Sequence, residues 1–510
     1  MDAIELTLFV KRTNAICEEM GNVLMRTAFS PNIKDRLDFS CAVFDAKGHL
    51  CAQAAHIPVH LGSMAYAMAD IVNNRDWQPG DMIILNDPYL GGTHLPDVTL
   101  IAPVFCNRKL HAFVANRAHH ADIGASTPGS MPLASTLEEE GLVISPTVIM
   151  RNEKICQETF NNILNKLHNP LIARPDFIAQ ISANITGVLR LSALIKSMGD
   201  TNFQTALNAL NDYAETMANS ALIGLQEGRY EFSDVMDDDG LGESDIPIKV
   251  SLIINGKKIK VDFTGTGAQV KGNINCPLSV TAAAVYYCFY CLMPPQTPAS
   301  AGAFRMISII APEGCLINSI YPAAVAAGNV ETSTRVVDVV LGALAKILPN
   351  NIPAASHGSM NNIAMGARHW DYYETLGGGM GAGRKNRGIH AVQTHMTNTL
   401  NTPIEILEKY YPLLIKQYAI RQNSGGKGKN NGGDGLIREY KFLEACHVTL
   451  LTERRLHPPW GLAGGKSGKT AINLLNNGPI PAKTGFDVKP GDRLTLLTAG
   501  GGGWGKPDDR

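Results

Sequence analysis

The sequence predicts a mixed α/β protein with several lobes, in which strand-rich N- and C-terminal parts flank a helical middle section. Apolar and small residues alternate over 39–55, an alternating segment covers 111–115, and strand-like apolar runs lie at 83–85 and from Val98. Long runs with helical spacing fill 156–226, and strand and turn patterns return from Gly228. These changes of character predict three regions, at 1–150, 151–227 and 228–510. No low-complexity linker separates them, so we expect one body with several lobes.

The N-terminal segment is predicted to form a helix followed by a hairpin. Residues 4–28 place apolar side chains near helical spacing, and the pattern ends before a Ser-Pro pair. The segment 39–55 then turns at Ala-Lys-Gly. His56 and His60 follow on either side of a proline, which disfavours a regular helix carrying a metal-binding pair. We therefore interpret both histidines as pocket or packing residues, with metal binding as the alternative.

A loop that follows the apolar run 83–85 concentrates side chains that bind metals or transfer protons. The run ends in Asn-Asp-Pro and then Gly-Gly, which continue neither a strand nor a helix. The loop carries Asp87, His94 and Asp97, and a second strand-like run begins directly after it. Because His94 and Asp97 form an H-x-x-D pair, one turn can present an imidazole and a carboxylate to a single point.

A second cluster of the same kind ends the next strand-like segment, where His119 stands in the sequence Asn-Arg-Ala-His-His-Ala-Asp. A histidine from a neighbouring strand end can complete a three-ligand site that leaves one position open for water or substrate. We predict His94, Asp97 and His119 as the ligands. This set of nitrogen and oxygen donors suits zinc, manganese or iron and does not choose among them.

The remaining polar residues of the two clusters are predicted to support the chemistry. His120, Asp122 and Asp87 are candidates for the general base or for groups that orient the ligands. Adjacent strand residues face opposite sides of a sheet, so one histidine of the His119-His120 pair must point away from a metal.

Two further features are an acidic run at 138–140 and a set of glycine-rich segments in the C-terminal third. We interpret the acidic run as the solvated start of a helix, with closure of the metal site as the alternative. Glycine-rich loops at 377–383, 424–435, 461–470 and 499–505 allow close approach of the backbone to a ligand or another chain. The pattern G-x-x-x-x-G-K-[ST] of a nucleotide-binding loop requires glycine where Trp460 and Ala463 stand, so no nucleotide site is predicted.

Composition places the chain among soluble globular proteins. Of 510 residues 45% are hydrophobic and 18% are charged, and the formal net charge is −1. The absence of a basic excess argues against a nucleic-acid partner. The 10 cysteines lie mostly in apolar runs and are expected to be free thiols in a reducing compartment. No signal peptide and no membrane span are predicted, so we expect a cytoplasmic protein.

Long motifs along nearly the whole chain resemble those of the hydantoinase B family, which includes the B subunits of N-methylhydantoinases, the matching region of 5-oxoprolinases, and subunits of acetone and acetophenone carboxylases. They are KDRLDFSCAVFDAKGHLCAQAAHIPVHLGSM (34–64), NDPYLGGTHLPDVTLIAPVF (86–105), NRAHHADIG (116–124), DFTGTGAQVKGNINCP (262–277), PAAVAAGNVETSTRVVD (322–338), YYETLGGGMGA (372–382), HMTNTLNTPIEILEKYYP (395–412), SGGKGKNNGGDGL (424–436) and TERRLHPPWGLAGG (452–465). In the terminal TAGGGGWG, Ala499 stands where the family more often has proline.

The resemblance implies a metal site at His94, Asp97 and His119, in agreement with the choice made from the residues. It also implies an ATP-dependent hydrolase of cyclic amides such as hydantoin or 5-oxoproline. A separate A-type partner would bind ATP and phosphorylate the carbonyl oxygen, and water activated at the metal would then attack the carbonyl carbon. A hetero-oligomer is therefore expected.

Two other functions remain open from the sequence. In the carboxylase relatives, the metal would stabilise the enolate of a ketone such as acetone. The chain could also be a metal-free scaffold that completes the partner's site. Metal analysis of the purified chain, and ATP turnover with cyclic amides or acetone, distinguish these functions.

Overall fold

The computed structural model describes residues 1–55 and 57–507. Its helices are α1 (Ala3–Thr27), α2 (Pro31–Lys34), α3 (Pro58–Asn73), α4 (Gln157–Leu164), α5 (Pro170–Met198), α6 (Asp200–Leu222), α7 (Leu278–Tyr290), α8 (Ser333–Ile347) and α9 (Ile404–Tyr410). Its strands are β1 (Phe39–Asp45), β2 (Leu50–Ala55), β3 (Met82–Leu85), β4 (Asp97–Cys106), β5 (Lys109–His119), β6 (Thr147–Arg151), β7 (Lys154–Ile155), β8 (Gly228–Asp238), β9 (Ser244–Asn255), β10 (Lys258–Asp262), β11 (Ile307–Ile310), β12 (Asn362–Ala367), β13 (Trp370–Glu374), β14 (Leu413–Arg421), β15 (Gly435–Phe442), β16 (Cys446–Leu451), β17 (Ile472–Leu475), β18 (Gly478–Ile480), β19 (Lys483–Val488) and β20 (Arg493–Leu497).

The N-terminal part is built around a 7-stranded sheet in the order β2-β1-β5-β4-β3-β6-β7. Its neighbouring strands pair antiparallel. Both faces of the central strands are buried, because alternate residues enter two different cores. Leu100 and Val104 pack with α1, α5 and α6, whereas Ile101 and Phe113 pack with α3. The sheet is therefore covered on both sides, and the start of β4 and the end of β5 lie inside the molecule.

The helical middle section shares a core with this sheet. Phe9 of α1, Phe177 of α5 and Phe203 of α6 belong to the same buried cluster as Leu100. Among the described helices, α5 is the one long and apolar enough to cross a membrane, yet 50% of its apolar window is buried. It packs against α1, β4 and β5, as the core helix of a globular protein does.

The C-terminal part contains two 4-stranded sheets and one 5-stranded sheet, in the orders β11-β10-β9-β8, β13-β12-β16-β19 and β14-β15-β20-β17-β18. Helix α8 is almost entirely buried between α7 and the strands β8 and β9. The glycine-rich loops pack against one another. A Cβ atom on Gly379 would collide with the carbonyl oxygen of Gly433, so these backbones pass closer than side chains permit.

The mixed α/β fold class is confirmed, with several sheets and a helical middle section. The predicted helix at 4–28 is α1, and the predicted hairpin is the antiparallel pair β1 and β2. The first sheet ends at β7, and the next sheet starts at Gly228, close to the compositional boundaries. The division at 150 and 227 into three regions stays a prediction.

The interpretation of the acidic run 138–140 as solvated holds for two of its three residues. Glu138 and Glu139 are exposed, but Glu140 is buried in a 3₁₀ turn, and it accepts a hydrogen bond of 2.7 Å from Ala326 N. Glu140 is therefore a core residue, because the chain near Ala326 covers it. The interpretation was wrong at this position.

Candidate metal centre

The pairing of β4 with β5 brings two of the predicted ligands together. Asp97 begins β4, His119 ends β5, and the two residues are direct partners in the antiparallel register. His94 lies one turn before β4, and its carbonyl oxygen accepts a hydrogen bond of 3.1 Å from Asp97 N. The two strand ends and the loop thus bring the three residues to one place.

The loop that carries His94 is tied to the body through Asn86, at the end of β3. The Asn86 side-chain nitrogen donates to the carbonyl oxygens of Leu95 (2.8 Å) and Leu142 (2.9 Å), and its Oδ1 accepts from Ile144 N (2.7 Å). A fully buried asparagine with three backbone partners satisfies groups that the loop could not pair by itself.

The predicted ligand atoms form a tight and buried group. His94 Nε2 lies 3.1 Å and His119 Nδ1 lies 3.3 Å from the same oxygen, Asp97 Oδ1. One ligand atom from each of the three residues falls within 4.8 Å of the others. Two donor atoms bound about 2.0–2.2 Å from a tetrahedral ion are roughly 3.3–3.6 Å apart, so the observed spacing fits one shared cation.

The two oxygens of Asp97 have different surroundings. Oδ2 accepts hydrogen bonds from Thr93 Oγ1 at 2.6 Å, His60 Nε2 at 3.2 Å and Asn329 Nδ2 at 3.4 Å. Oδ1 faces only the imidazoles of His94 and His119 among the contacts of the described residues. Asp97 is therefore fixed through one oxygen and offers the other to a ligand.

The His94 ring is oriented as a metal ligand requires. Its Nδ1 lies 3.3 Å from the carbonyl oxygen of Ala326, to which it donates. In the neutral tautomer that this bond selects, Nε2 presents a lone pair towards Asp97 Oδ1. His94 Nε2 and His119 Nε2 are buried and make no hydrogen bond within the described chain. A cation between these donors would satisfy lone pairs that otherwise face each other, so the residues fit a divalent metal.

Burial and neighbouring charges favour an ionised Asp97 and a neutral His119, which are the forms that bind a metal. Burial by itself would raise the pKa of the Asp97 carboxyl, but the neighbouring His94 and His60 rings hold that pKa well below its usual range. Burial lowers the pKa of His119, which favours the neutral imidazole. For His94 the effect of burial is outweighed by the Asp97 carboxylate, which raises the pKa of the ring.

A cavity of about 20 Å³ adjoins the three residues, which is room for about one water molecule or ion. Its other walls come from the residue before β1, from the start of α3 and from the C-terminal part. The lining residues are Asp38, Ile57, Val59, His60, Asn329, Val330, Met360, Tyr373, Thr375, Thr397 and Thr399, together with the three predicted ligands. The small volume matches a bound ion better than a complete organic substrate.

The predicted proton-transfer residues make their contacts elsewhere. His120 Nε2 lies 2.9 Å from Gln180 Oε1, and the ring packs against Phe177 at 4.2 Å, on the opposite side of the strand from His119. Asp122 accepts hydrogen bonds from Gly124 N (2.9 Å) and Asn169 N (2.7 Å). Both residues line a separate groove of about 750 Å³.

Asp87 is also away from the cavity lining. It caps the short 3₁₀ turn Pro88–Leu90 by accepting a hydrogen bond of 2.9 Å from Tyr89 N. Its position in the loop is therefore explained by turn formation. The assignment of His120, Asp122 and Asp87 to proton transfer stays a prediction that the contacts do not support.

The residues around the cation position were predicted only in part. His60, interpreted as a pocket or packing residue, does line the cavity, and it contacts Asp97 and Ser40. His56 lies outside the described residues. Asn329 carried no local signal, because it contacts Asp97 across 232 positions of sequence.

Comparisons with known proteins find relatives along the whole chain. A profile described as hydantoinase B/oxoprolinase matches residues 2–507. An uncharacterised protein of Methanocaldococcus jannaschii is 41% identical over 100% of this chain and 92% of its own length. A putative B-type subunit of a D-/L-hydantoinase from a Pseudomonas species is 30% identical over 100% and 91%. The 5-oxoprolinase of Dictyostelium discoideum is 37% identical, and there the chain spans 41% of the relative's length.

Solved structures show the same architecture. An ATP-dependent caprolactamase from Pseudomonas jessenii superposes with a TM-score of 0.92 at 25% identity, over 99% of this chain and 91% of that one. An acetone carboxylase superposes with a TM-score of 0.88 at 17% identity, over 100% and 76%, which is a likeness of fold alone. With a profile match over nearly its whole length, the chain belongs to the hydantoinase B/oxoprolinase family.

Proposed function

We propose that this chain is the metal-dependent part of an ATP-dependent hydrolase of cyclic amides, acting on a hydantoin, 5-oxoproline or a similar lactam. The observation that carries the proposal is the convergence of His94, Asp97 and His119 on one buried point. Family membership supports the substrate class, because relatives are named 5-oxoprolinase and hydantoinase, and a similar structure is an ATP-dependent caprolactamase.

In this proposal His94, Asp97 and His119 hold zinc or manganese, with iron as a further possibility for the same donors. When bound, such a metal polarises a carbonyl group or lowers the pKa of water, which is worth several kcal/mol of transition-state stabilisation. The chain's own residues prepare the site. Thr93 and His60 fix the Asp97 carboxylate, and Ala326 O fixes the His94 ring.

An unstrained amide remains a poor electrophile, so we propose that ATP activates it by phosphorylation of the carbonyl oxygen. We assign ATP binding to a hydantoinase A-type partner rather than to this chain. The segment 464–470 leads into the strand β17, whereas a phosphate-binding loop of the Walker type leads into a helix. The chain spans only 41% of the 5-oxoprolinase relative, whose remaining length offers a place for that step.

The proposal includes a hetero-oligomer with the A-type partner in the cytoplasm. The 10 cysteines are free thiols, as expected in a reducing compartment.

The test is turnover by the chain together with its A-type partner, with ATP and 5-oxoproline, hydantoin or caprolactam. We expect ring opening of at least one of these amides, and we expect His94→Ala or Asp97→Ala to abolish it while the chain stays folded. Ring opening that persists in both variants would reject the site.

The carboxylase alternative has the fold of acetone carboxylase in its favour. Consumption of acetone that requires bicarbonate and ATP, without ring opening of any amide, would replace the hydrolase proposal. A chain without bound metal whose His94 and Asp97 variants are fully active would point to the scaffold alternative.

A further inference from the structure

The two histidines of the candidate metal centre are held in different ways. A histidine that ligates a metal usually donates its second ring N–H to a carbonyl or carboxylate, which fixes the plane of the ring. His94 follows this rule through Ala326 O, at 3.3 Å. His119 does not, because its Nδ1 faces Asp97 Oδ1 and its Nε2 makes no hydrogen bond within the described chain. Another contact must therefore orient the His119 ring.

That contact is an aromatic stack. The ring of Tyr373, on β13, lies parallel to the ring of His119, with 4.6 Å between the centroids and 11° between the planes. Both side chains are buried. Stacking of flat rings restricts rotation and tilt, as a second hydrogen bond would.

Tyr373 is itself held at both ends. Its hydroxyl donates to Asn362 Oδ1 at 2.7 Å, and its carbonyl oxygen accepts from the Arg36 guanidinium at 2.7 Å. The Arg36 guanidinium carbon also lies 4.8 Å from the centre of the Tyr373 ring. The Asn362 side chain is fixed in turn by hydrogen bonds to Glu331 and to Leu451 O. The C-terminal part thus places a rigid ring against a ligand carried by the N-terminal sheet.

We propose that Tyr373 is a positioning residue of the metal centre, whose ring takes the place of the missing hydrogen bond to His119 and sets the direction of its imidazole. The inference rests on the proposed metal site. It assigns the role to the aromatic ring and not to the hydroxyl, which points to Asn362.

Metal affinity tests this inference independently of turnover. The complete chain is stripped with a chelator and reloaded with zinc, and affinity is measured by chelator competition for the wild type, Tyr373→Phe and Tyr373→Leu. Loss of a supporting partner of a ligand typically weakens metal binding by about 10–100-fold. We expect a loss of that size in Tyr373→Leu and an affinity close to wild type in Tyr373→Phe, which keeps the ring.

A matched control is available on the same strand. Tyr372 is buried next to Tyr373, but its ring packs against Tyr411 at 4.9 Å in a different core. Tyr372→Leu removes the same atoms and should keep the zinc affinity of the wild type. The visible spectrum of the cobalt-loaded chains adds a second readout, because it reports ligand geometry. We expect it to change in Tyr373→Leu and to stay unchanged in Tyr373→Phe and Tyr372→Leu.

The outcomes separate this inference from the proposed function. Wild-type chain that binds neither zinc nor cobalt overturns the metal centre and the inference together. Tyr373→Leu with wild-type affinity and spectrum, or Tyr373→Phe as weak as Tyr373→Leu, overturns the inference and leaves the metal centre standing. If circular dichroism shows that Tyr373→Leu does not fold, Tyr373→Met takes its place, since a flexible side chain fills the space without a ring plane. Wild-type zinc affinity in that variant likewise overturns the inference.

Discussion

The two oxygens of the Asp97 carboxylate have different roles in the site. One oxygen is occupied by Thr93, His60 and Asn329, while the other faces two imidazoles. A buried carboxylate needs such partners, because desolvation of an unpaired charge is costly. The arrangement holds Asp97 ionised and leaves one lone-pair direction for a cation.

The adjacent histidines give a sharp comparison. We expect His119→Gln to lose metal binding by more than about tenfold, because it removes a donor. His120→Gln should keep the wild-type affinity, since His120 contacts Gln180 and Phe177 on the other side of the strand. Chelator competition on both variants measures this difference. Equal losses in the two variants would contradict the assignment of the ligand.

How much of this site can be predicted from sequence depends on how far apart its residues lie along the chain. Asp97 begins β4 and His119 ends β5, so antiparallel pairing places them side by side, and His94 lies one turn before Asp97. Asn329 and Tyr373 approach from distant parts of the chain, and neither stands in a pattern that reports its neighbours. These two distant contacts of the centre are therefore not readable from local sequence.

Among the elements, the loop between β3 and β4 depends on close backbone contacts. A Cβ atom on Gly92 would overlap the carbonyl oxygens of Asn86 and Asp87. We expect Gly92→Ala to displace the loop that carries His94, and so to lower both the free energy of unfolding and the metal affinity. Gly224→Ala is the control, because nothing lies within 4 Å of its added methyl group. Unfolding by denaturant measures the free energy of unfolding of both variants. Equal values for the two variants would contradict this account.

The π-helix Gly328–Thr332, a rare element often found at functional sites, carries both Asn329 and the buried Glu331. Burial, with repulsion from Glu453, raises the pKa of Glu331 to about 8 from an ordinary value of 4.5. As pH rises, the Glu331 carboxyl of the unfolded chain loses its proton near the ordinary pKa, and that of the folded chain loses it near the raised pKa. The contribution of Glu331 to the free energy of unfolding is therefore greatest below the ordinary pKa, and it falls as pH rises between the two pKa values.

Glu331→Gln mimics the neutral acid and removes this loss. We expect the variant to gain stability relative to wild type as pH rises from about 5 to 8, and to differ least at the acidic end. Thermal unfolding at several pH values measures the difference. A difference that stays constant over this range would show that Glu331 is ionised in the folded protein.

Across the whole molecule, buried ion pairs join parts that are far apart in sequence. The guanidinium of Arg454 lies 2.5 Å from Asp338 of α8 and 2.9 Å from Asp234 of β8. Removing one partner from a buried pair costs about 3–5 kcal/mol, because it leaves an uncompensated charge.

We therefore expect Arg454→Met to lower the free energy of unfolding by about 3–5 kcal/mol. Glu19→Ala is the comparison, because its pair with Arg190 is exposed and solvent screens the attraction between the two charges. Chemical denaturation distinguishes the two. A loss in Arg454→Met no larger than in Glu19→Ala would show that the buried pairs do not stabilise the fold.

The fold itself was predictable where the signal is local. Periodicity predicted α1 and the helical middle section, and turn residues predicted the β1-β2 hairpin. Pairings such as β12 with β16, and the close packing of Gly379 against Gly433, join segments that no local pattern connects. Glu140 was misplaced for the same reason, because its burial depends on Ala326.

Elemental analysis of the purified chain, beside Asp97→Asn prepared in the same way, examines the metal centre without any assumption about substrate. We expect about one zinc or manganese ion per wild-type chain and a strong loss in the variant, because the variant lacks the charged oxygen that faces His94 and His119. A wild-type chain that contains no divalent metal and takes up none, or an Asp97→Asn chain that retains a full equivalent, would contradict the metal centre on which the proposed function depends.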